Sequence, residues 1–327
     1  MGVKAQSYFN NMGVNLDLAV EAHELLRGDA QREVAGVKEN IENHDYCSVT
    51  TVSILNPQGE AALNKPQGNY ITIEAPELRF NDSRVQQDVS KVISEKIEAM
   101  LKNFNLNEEA PILLVGLGNW DATPDALGPR VINSSLVTRH LHKYAPDAVQ
   151  GGLRSVAGLA PGVLGITGIE TAEIIRGVVE RVNPSLVIAI DALAARSIER
   201  ISTTVQLADT GINPGSGIGN QRKGINHETL GVPVIAIGVP TVVHAAVFAY
   251  ETFTNIIATN PNLRNHLTQQ MVENGVKEIL QPFEGNLTVT PKEIDDLIDR
   301  ISKTVALGIN QGLHPGVGWE EAIAFLQ

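Results

Sequence analysis

The chain has 327 residues, 43% of them hydrophobic and 19% charged, which is enough to bury a large core and excludes a disordered protein. Its formal net charge of -12 at pH 7 disfavours direct binding to the phosphate backbone of nucleic acids. The single cysteine, Cys47, excludes an internal disulfide and fits a reducing compartment. We expect it to be a small buried residue and not a nucleophile.

The N-terminal region has no signal for export, because residues 1–12 are polar and lack the apolar centre of a signal peptide. The longest apolar stretch, residues 231–250, is interrupted by Pro233 and Pro240. This pattern predicts a buried strand, a turn and a helix instead of a membrane span. We therefore expect a cytoplasmic protein without a membrane partner.

The first third of the chain changes character near residue 47. Residues 1 to about 45 are polar and predicted to be partly helical. Alternating apolar residues at 49–52 and 70–73, separated by Pro-Gln-Gly turns, predict two half-buried strands. We interpret residues 47–80 as a small antiparallel β subdomain appended to the main domain. Helical spacing of apolar residues follows over 84–103.

From residue 111 onward, apolar runs alternate with helical patterns. Buried strands are predicted at 112–115, 186–190, 203–207 and 234–237. Helices are predicted to begin at about Pro129, at Thr167 and at Thr290, the last two with capping boxes. This alternation predicts an α/β fold with a doubly wound, mostly parallel sheet.

Two aspartates follow predicted strands. Asp191 comes directly after the strand that ends at Ile190, and Asp125 lies in the loop after the strand that ends at Val115. If these strands are neighbours, both carboxylates face one cleft beyond the sheet. Two close carboxylates share one proton and so provide an acid and a base, which suits the attack of water on a peptide bond. The alternative is that each aspartate simply caps a helix.

Two further features leave their roles open. The glycine-rich segment 210–220 suits phosphate binding or the close approach of a peptide backbone, but it also fits a plain surface loop. His244, near the start of an apolar helix, is the best single candidate for a metal ligand, although a histidine satisfied within the core or the cleft is the simpler interpretation.

Long runs of this sequence resemble the spore germination protease family. They lie at residues 116–129, 136–141, 190–194, 209–220 and 231–243, and a further match at 17–24 resembles the activation site of that family. The runs cover most of residues 111–245 and are very specific. The rest of the chain resembles the family more loosely.

The resemblance implies a cytoplasmic endopeptidase of the spore core that begins the degradation of small acid-soluble DNA-binding proteins. It implies a fold similar to that of hydrogenase-maturation proteases, a homotetramer, and an atypical aspartic mechanism without a cofactor. The catalytic aspartates of the family map onto Asp125 and Asp191. The resemblance also implies a zymogen that cuts itself between Asp17 and Leu18, with residues 1–17 as the propeptide and 18–327 as the peptidase domain.

Two alternatives remain from the sequence. Hydrogenase-maturation proteases use a bound metal, and His244 stands where the germination protease family usually has a carboxylate. A metal-dependent endopeptidase using Asp125, Asp191 and His244 is therefore the second hypothesis. A non-catalytic ligand-binding module built on the same α/β sheet is the third.

Overall fold

The computed structural model describes residues 8, 12, 14, 16–28, 33–149, 152–214, 223–260, 262–263, 266–283 and 287–324. The strands in these ranges are β1 (Val37–Asn43), β2 (Ser48–Ile54), β3 (Gly68–Glu74), β4 (Ile112–Gly116), β5 (Val156–Leu159), β6 (Leu186–Ala195), β7 (Thr204–Ala208), β8 (Val234–His244) and β9 (Thr288–Val289). They form one sheet in the order β1-β2-β3-β7-β8-β6-β4-β5, and β9 pairs with β8.

The α-helices in the described ranges are α1 (Ala19–Arg27), α2 (Pro57–Leu63), α3 (Ser83–Asn103), α4 (Leu127–Asn133), α5 (Arg139–Tyr144), α6 (Leu164–Thr167), α7 (Thr171–Val182), α8 (His227–Leu230), α9 (Ala245–Thr259), α10 (Gln269–Leu280), α11 (Ile294–Leu313) and α12 (Trp319–Ala324). Short 3-10 turns are formed by Pro76–Arg79, Thr123–Asp125, Pro146–Val149, Ile198–Arg200 and Gln281–Phe283. Strands and helices alternate through the middle of the chain, so the α/β class is confirmed.

The sheet is mixed. β5, β4, β6 and β8 run parallel to one another, whereas β1, β2, β3 and β7 pair antiparallel, as does β7 with β8. The prediction of a mostly parallel sheet therefore holds for only one half of it. The reason lies at residues 196–203, the connection from β6 to β7, which is too short for the crossover that parallel strands require.

The antiparallel strands extend the main sheet. β3 pairs with β7 in a register that places Ile71 opposite Leu207 and Tyr70 opposite Ala208. The strands predicted at 49–52 and 70–73 are present as β2 and β3, but they form one edge of the nine-stranded sheet. These strands are antiparallel to each other, as predicted, and they are continuous with the main sheet.

Helices cover both faces of the parallel half. Ile112 and Leu114 of β4 belong to one apolar cluster with buried residues of α3 and α11. Leu113 and Val115, on the opposite face, cluster with Ile175 of α7. β4 is buried along its whole length, which explains why its sequence is a continuous apolar run without alternation.

Helix starts differ from the predicted ones. α4 begins at Leu127, before Pro129, and it has only 7 residues. Thr167 ends α6, and α7 begins at Thr171 without a side-chain cap. α11 also begins without a side-chain cap, since the Thr290 hydroxyl donates to the Thr241 carbonyl at 2.8 Å. Both predicted capping boxes are therefore wrong, because these hydroxyls bond elsewhere.

The long apolar stretch near residue 240 forms β8 and the start of α9, as strand followed by helix. Among the helices that the structure describes, none has the length and apolar character needed to cross a membrane.

Candidate active site

Asp191 lies within β6 and not after its end, which corrects the predicted strand boundary. The pairing of β4 with β6 stops at Gly116 opposite Ile190, while β6 continues to Ala195 alongside β8. Asp191 is therefore the first residue of β6 beyond the end of β4, and its partner on the other side is Gly238. The carboxylate has the place expected for a ligand site, beyond the carboxyl end of a neighbouring strand.

The loop after β4 folds back so that Asp125 reaches the same place. Asn119 donates its backbone N–H to Asp125 Oδ2 at 2.7 Å. Gly118 has a φ of +114°, and a Cβ there would lie 1.9 Å from the Asp125 carbonyl oxygen. Leu117 donates its N–H to the Ile190 carbonyl at 2.8 Å, which ties the loop to β6. Only glycine permits this close turn.

Asp125 and Asp191 line one cleft of about 290 Å³, and Asp17 lines it too. Asp191 is buried, with 5% of its surface exposed, and Asp125 is partly buried. The structure therefore brings together the two aspartates expected to be catalytic and the aspartate expected at the cleavage site. Two carboxylates in one enclosed cleft can act as an acid and a base if they share a proton.

The Asp17–Leu18 segment is held by β6, β7 and the loop before β3. The Asp17 carboxylate accepts the N–H of Ala194 at 2.9 Å. The Asp17 carbonyl oxygen accepts bonds from Lys65 Nζ at 2.8 Å and from Gln206 Nε2 at 3.3 Å. Leu18 is fully buried. The peptide bond expected to be cut is therefore fixed in place at the cleft.

Gln206 and Asp191 lie in one row across the sheet. Gln206 of β7 is opposite Gly238 of β8, and Gly238 is opposite Asp191 of β6. Paired residues on neighbouring strands project from the same face, so the amide and the carboxylate are on the same side. Two strand spacings separate their backbones by about 10 Å. Gly238 has no side chain of its own, and the Leu193 side chain occupies the space over it.

The helix α1, which follows the predicted cleavage site, is anchored by ion pairs. Glu21 of α1 is fully buried and accepts the backbone N–H of Arg196 at 2.9 Å. Its carboxylate also pairs with Arg200 at 3.1 Å, and the same guanidinium binds Glu24 at 2.7 Å and Glu74 at 3.0 Å. Burial raises the pKa of Glu21, while the Arg200 charge lowers it. These contacts fix α1, and with it the position of Leu18.

His244 does not belong to the cleft lining. It is the N-cap of α9, where its Nδ1 accepts the N–H of Ala246 at 3.1 Å, and burial lowers its pKa. Among the described residues, no group of three His, Cys, Asp or Glu side chains could hold a metal ion. The metal site of the second hypothesis, built from Asp125, Asp191 and His244, is therefore not supported.

Cys47 and the glycine-rich segment were also considered as functional features from the sequence. Cys47 is buried and its Sγ lies 3.8 Å from Asp88 Oδ2; burial is the main cause that raises the pKa of the thiol to about 12. This is not the environment of a nucleophile.

In the glycine-rich segment, Pro214 lines the cleft, while residues 215–220 lie outside the described part of the chain.

The comparisons with known proteins agree on one family. A family model described as germination protease matches residues 17–273 and 262–326. The germination protease of Caldanaerobacter subterraneus subsp. tengcongensis is 48% identical over 320 residues, covering 95% of this chain and 97% of the relative. The chain belongs to the germination protease family. The corresponding proteins of Clostridium tetani and Bacillus subtilis are 44% and 41% identical, each over at least 96% of this chain and 98% of the relative.

As a germination protease, the chain is an endopeptidase of spore germination. No sequence motif marked Lys65, Gln206 or Ala194 as part of its site. Lys65 lies in a turn, and Gln206 lies in a mostly apolar strand. A polar residue inside a buried strand could have indicated a site, since a buried amide needs hydrogen-bond partners.

Proposed function

We propose that this germination protease is made as a zymogen that cuts itself at Asp17–Leu18 and then begins the degradation of small acid-soluble, DNA-binding spore proteins. The observation that carries the proposal is the shared cleft, which Asp17 lines together with Asp125 and Asp191. The cleavage-site residue of the chain thereby occupies the site at which an external peptide would bind.

In the proposed mechanism, Asp125 and Asp191 share one proton. The ionised member takes a proton from water as the water oxygen attacks the carbonyl carbon. The protonated member gives its proton to the leaving nitrogen. Burial of Asp191 within β6 favours a shared proton over two full charges. This gives an aspartic mechanism with one aspartate on a strand and the other on a loop.

The described part of the proposed propeptide is packed against the rest of the chain. Tyr8 is fully buried, donates its hydroxyl to the Ala246 carbonyl at 3.0 Å, and has its ring centre 4.5 Å from that of Tyr250. A docked segment that leads into the cleft keeps substrates out until it is cut. The same proposal includes a homotetramer in the spore core, as the family resemblance implies, and the net charge of -12 agrees with binding the protein component of the coated DNA.

N-terminal sequencing after incubation at moderately acidic pH tests the proposal, because acid supplies the shared proton. We expect a new N-terminus at Leu18 in the wild-type chain and none in Asp191→Asn. The cut chain, but not the uncut chain, should degrade a small acid-soluble spore protein. Full activity of the uncut chain would show that the protein is not a zymogen, and cleavage by Asp191→Asn would exclude the aspartate mechanism.

A further inference from the structure

The carbonyl oxygen of Asp17 belongs to the peptide bond expected to be cut, and it is bound by two donors from distant parts of the chain. Lys65 Nζ donates to this oxygen at 2.8 Å and Gln206 Nε2 donates at 3.3 Å. The other end of the same Gln206 amide accepts the N–H of Ala19 at 2.7 Å. One side chain thus holds the backbone on both sides of Leu18.

The turn that carries Lys65 is itself fixed. Asn64, before it, has a left-handed backbone with φ +53°. Pro66, after it, accepts the Tyr70 hydroxyl at 2.9 Å, and the Lys65 ammonium lies 6.0 Å from the centre of the Tyr70 ring. This distance is within the range of a cation–π interaction. These contacts hold the turn, and with it the ammonium, beside the Asp17 carbonyl.

Lys65 is partly buried. Burial lowers the pKa of Lys65, while the negative charges of Asp17 and Glu21 raise it. A cation that has lost most of its hydration interacts more strongly with the group it contacts than it would in water. At this site that group is a peptide carbonyl.

Geometry also relates the two donors to the aspartates. Gln206 projects from the same face of the sheet as Asp191, in the row that passes through Gly238. Asp17 lines the cleft together with Asp125 and Asp191. Gln206 of β7 thus binds the carbonyl of a residue that lines the same cleft as the two carboxylates.

We propose that Lys65, assisted by Gln206, is a further catalytic residue: it stabilises the negative charge that develops on the Asp17 carbonyl oxygen when water attacks. The inference rests on the proposed self-cleavage. It assigns to Lys65 a role that neither aspartate can fill, since a carboxylate cannot stabilise negative charge on the carbonyl oxygen. Lys65 lies after the cleavage site, so it stays in the processed enzyme and can act on an external peptide in the same way.

The step balances with water as the co-reactant. The water oxygen forms a bond to the Asp17 carbonyl carbon, and one water proton passes to the ionised aspartate. The carbonyl oxygen becomes an oxyanion held by the Lys65 ammonium and the Gln206 amide. When this intermediate collapses, the carbon–nitrogen bond to Leu18 breaks and the nitrogen takes a proton from the other aspartate. The remaining hydroxyl proton of the new carboxyl group passes to the freed amine, so the products are a main-chain carboxylate at Asp17 and an ammonium group at Leu18.

The test measures the first-order rate of self-cleavage in the full chain by the appearance of the Leu18 N-terminus. Lys65→Met keeps the length of the side chain and removes the charge, so we expect the rate to fall about 10²- to 10³-fold, as when one oxyanion donor is lost. Lys65→Arg keeps a cation and should be at least about tenfold faster than Lys65→Met. Lys303→Met, at an exposed lysine on α11 paired with Asp299, is the matched control and should cut at the wild-type rate.

Thermal unfolding of each uncut variant shows whether it is folded, and rates are compared between folded variants only. A wild-type rate in folded Lys65→Met would overturn the inference, and so would equal slowing in Lys65→Met and Lys65→Arg. If Lys65→Met does not fold, the cleavage rates of Lys65→Arg and Gln206→Leu are compared in its place. A wild-type rate in folded Gln206→Leu would overturn the proposed assistance by Gln206. Failure of the proposed function looks different: the wild-type chain itself would not cut, or Asp191→Asn would.

Discussion

Asp191 is the first residue of β6 beyond its last pair with β4, which joins Ile190 to Gly116. This offset by one residue places a carboxylate in a strand but at an open end of the sheet. The strand fixes its backbone through β8, and the missing neighbour leaves room for the loop that carries Asp125. The candidate site thus combines a rigid aspartate with one on a tightly folded turn.

We expect Asp125→Asn and Asp191→Asn each to lower proteolysis by at least about 10³-fold, because residues that act as a unit fail together. Asparagine keeps the size of each side chain, so circular dichroism should show an unchanged fold. Asp296→Asn, at an exposed aspartate in the first turn of α11, is the control and should retain full activity. Near-wild-type activity in either cleft variant would end the two-aspartate mechanism.

Tyr8→Ala should destabilise the uncut chain and leave the cut chain unaffected. Tyr8 is fully buried against Tyr250, and truncation of a buried aromatic residue costs roughly 3 kcal/mol. Urea unfolding of both forms measures the difference. Once residues 1–17 have been released, the variant and the wild type have the same sequence, so any difference between their cut forms would mean that the released segment stays bound.

Arg200→Met should destabilise the fold by about 3 kcal/mol, because it leaves the carboxylate of Glu21 buried without its counter-charge. The double variant Glu21→Gln/Arg200→Met removes that charge and should recover part of the loss. Denaturant unfolding of the two variants at neutral pH makes the comparison. Equal stability of the single and double variants would show that the pair does not hold α1 in place.

His314 should make the protein less stable in acid. It is buried at the end of α11, where its Nδ1 accepts the N–H of Arg154 at 3.2 Å, and burial is the main cause that lowers its pKa from 6.5 to about 4. The unfolded chain binds a proton at this residue below about pH 6.5, whereas the folded chain does so only below about pH 4. Stability contributed by neutral His314 is therefore complete above the unfolded pKa and is lost as the pH falls, by roughly 3 kcal/mol over that window.

Unfolding free energies of His314→Gln and wild type, measured at several pH values between 7 and 4, isolate this contribution. The variant should lose stability less steeply toward acid than the wild type. The exposed His140 serves as the control, because His140→Gln should leave the slope unchanged. Parallel curves for His314→Gln and wild type would show that His314 is not responsible.

Much of the local structure could be predicted from apolar patterns. The runs at 112–115, 186–190 and 234–237 lie within β4, β6 and β8, and residues 84–103 lie within α3, because a buried strand and an amphipathic helix each impose their own period. The direction of β7 could not be predicted, since it depends on which distant strand it meets. The two capping boxes failed because Thr167 and Thr290 found other hydrogen-bond partners.

Only the two aspartates of the candidate site could be placed together from the sequence, because their positions after predicted strands indicate where they lie in the sheet. Asp125 and Asp191 each come after a continuous apolar run, at 112–115 and at 186–190. In open α/β sheets, ligands bind beyond the carboxyl ends of the strands, so both residues were expected at one site. Lys65 and Gln206 meet the Asp17 carbonyl across 48 and 189 positions of sequence, and no local pattern records a contact of that kind. For His244 the simpler interpretation, a histidine satisfied within the core, is the one that the structure bears out, because its side chain caps a helix.

The full burial of Leu18 has a consequence for the chain end that the proposed self-cleavage would create. Hydrolysis converts a neutral amide nitrogen into an ammonium group, and a charge enclosed in apolar surroundings is unfavourable unless it regains water or a counter-ion. If the chain cuts itself as proposed, the new chain end at Leu18 regains water by moving outward, and this separates it from the Asp17 carboxylate. Separation of the two ends prevents the bond from reforming, so activation of this kind runs in one direction only.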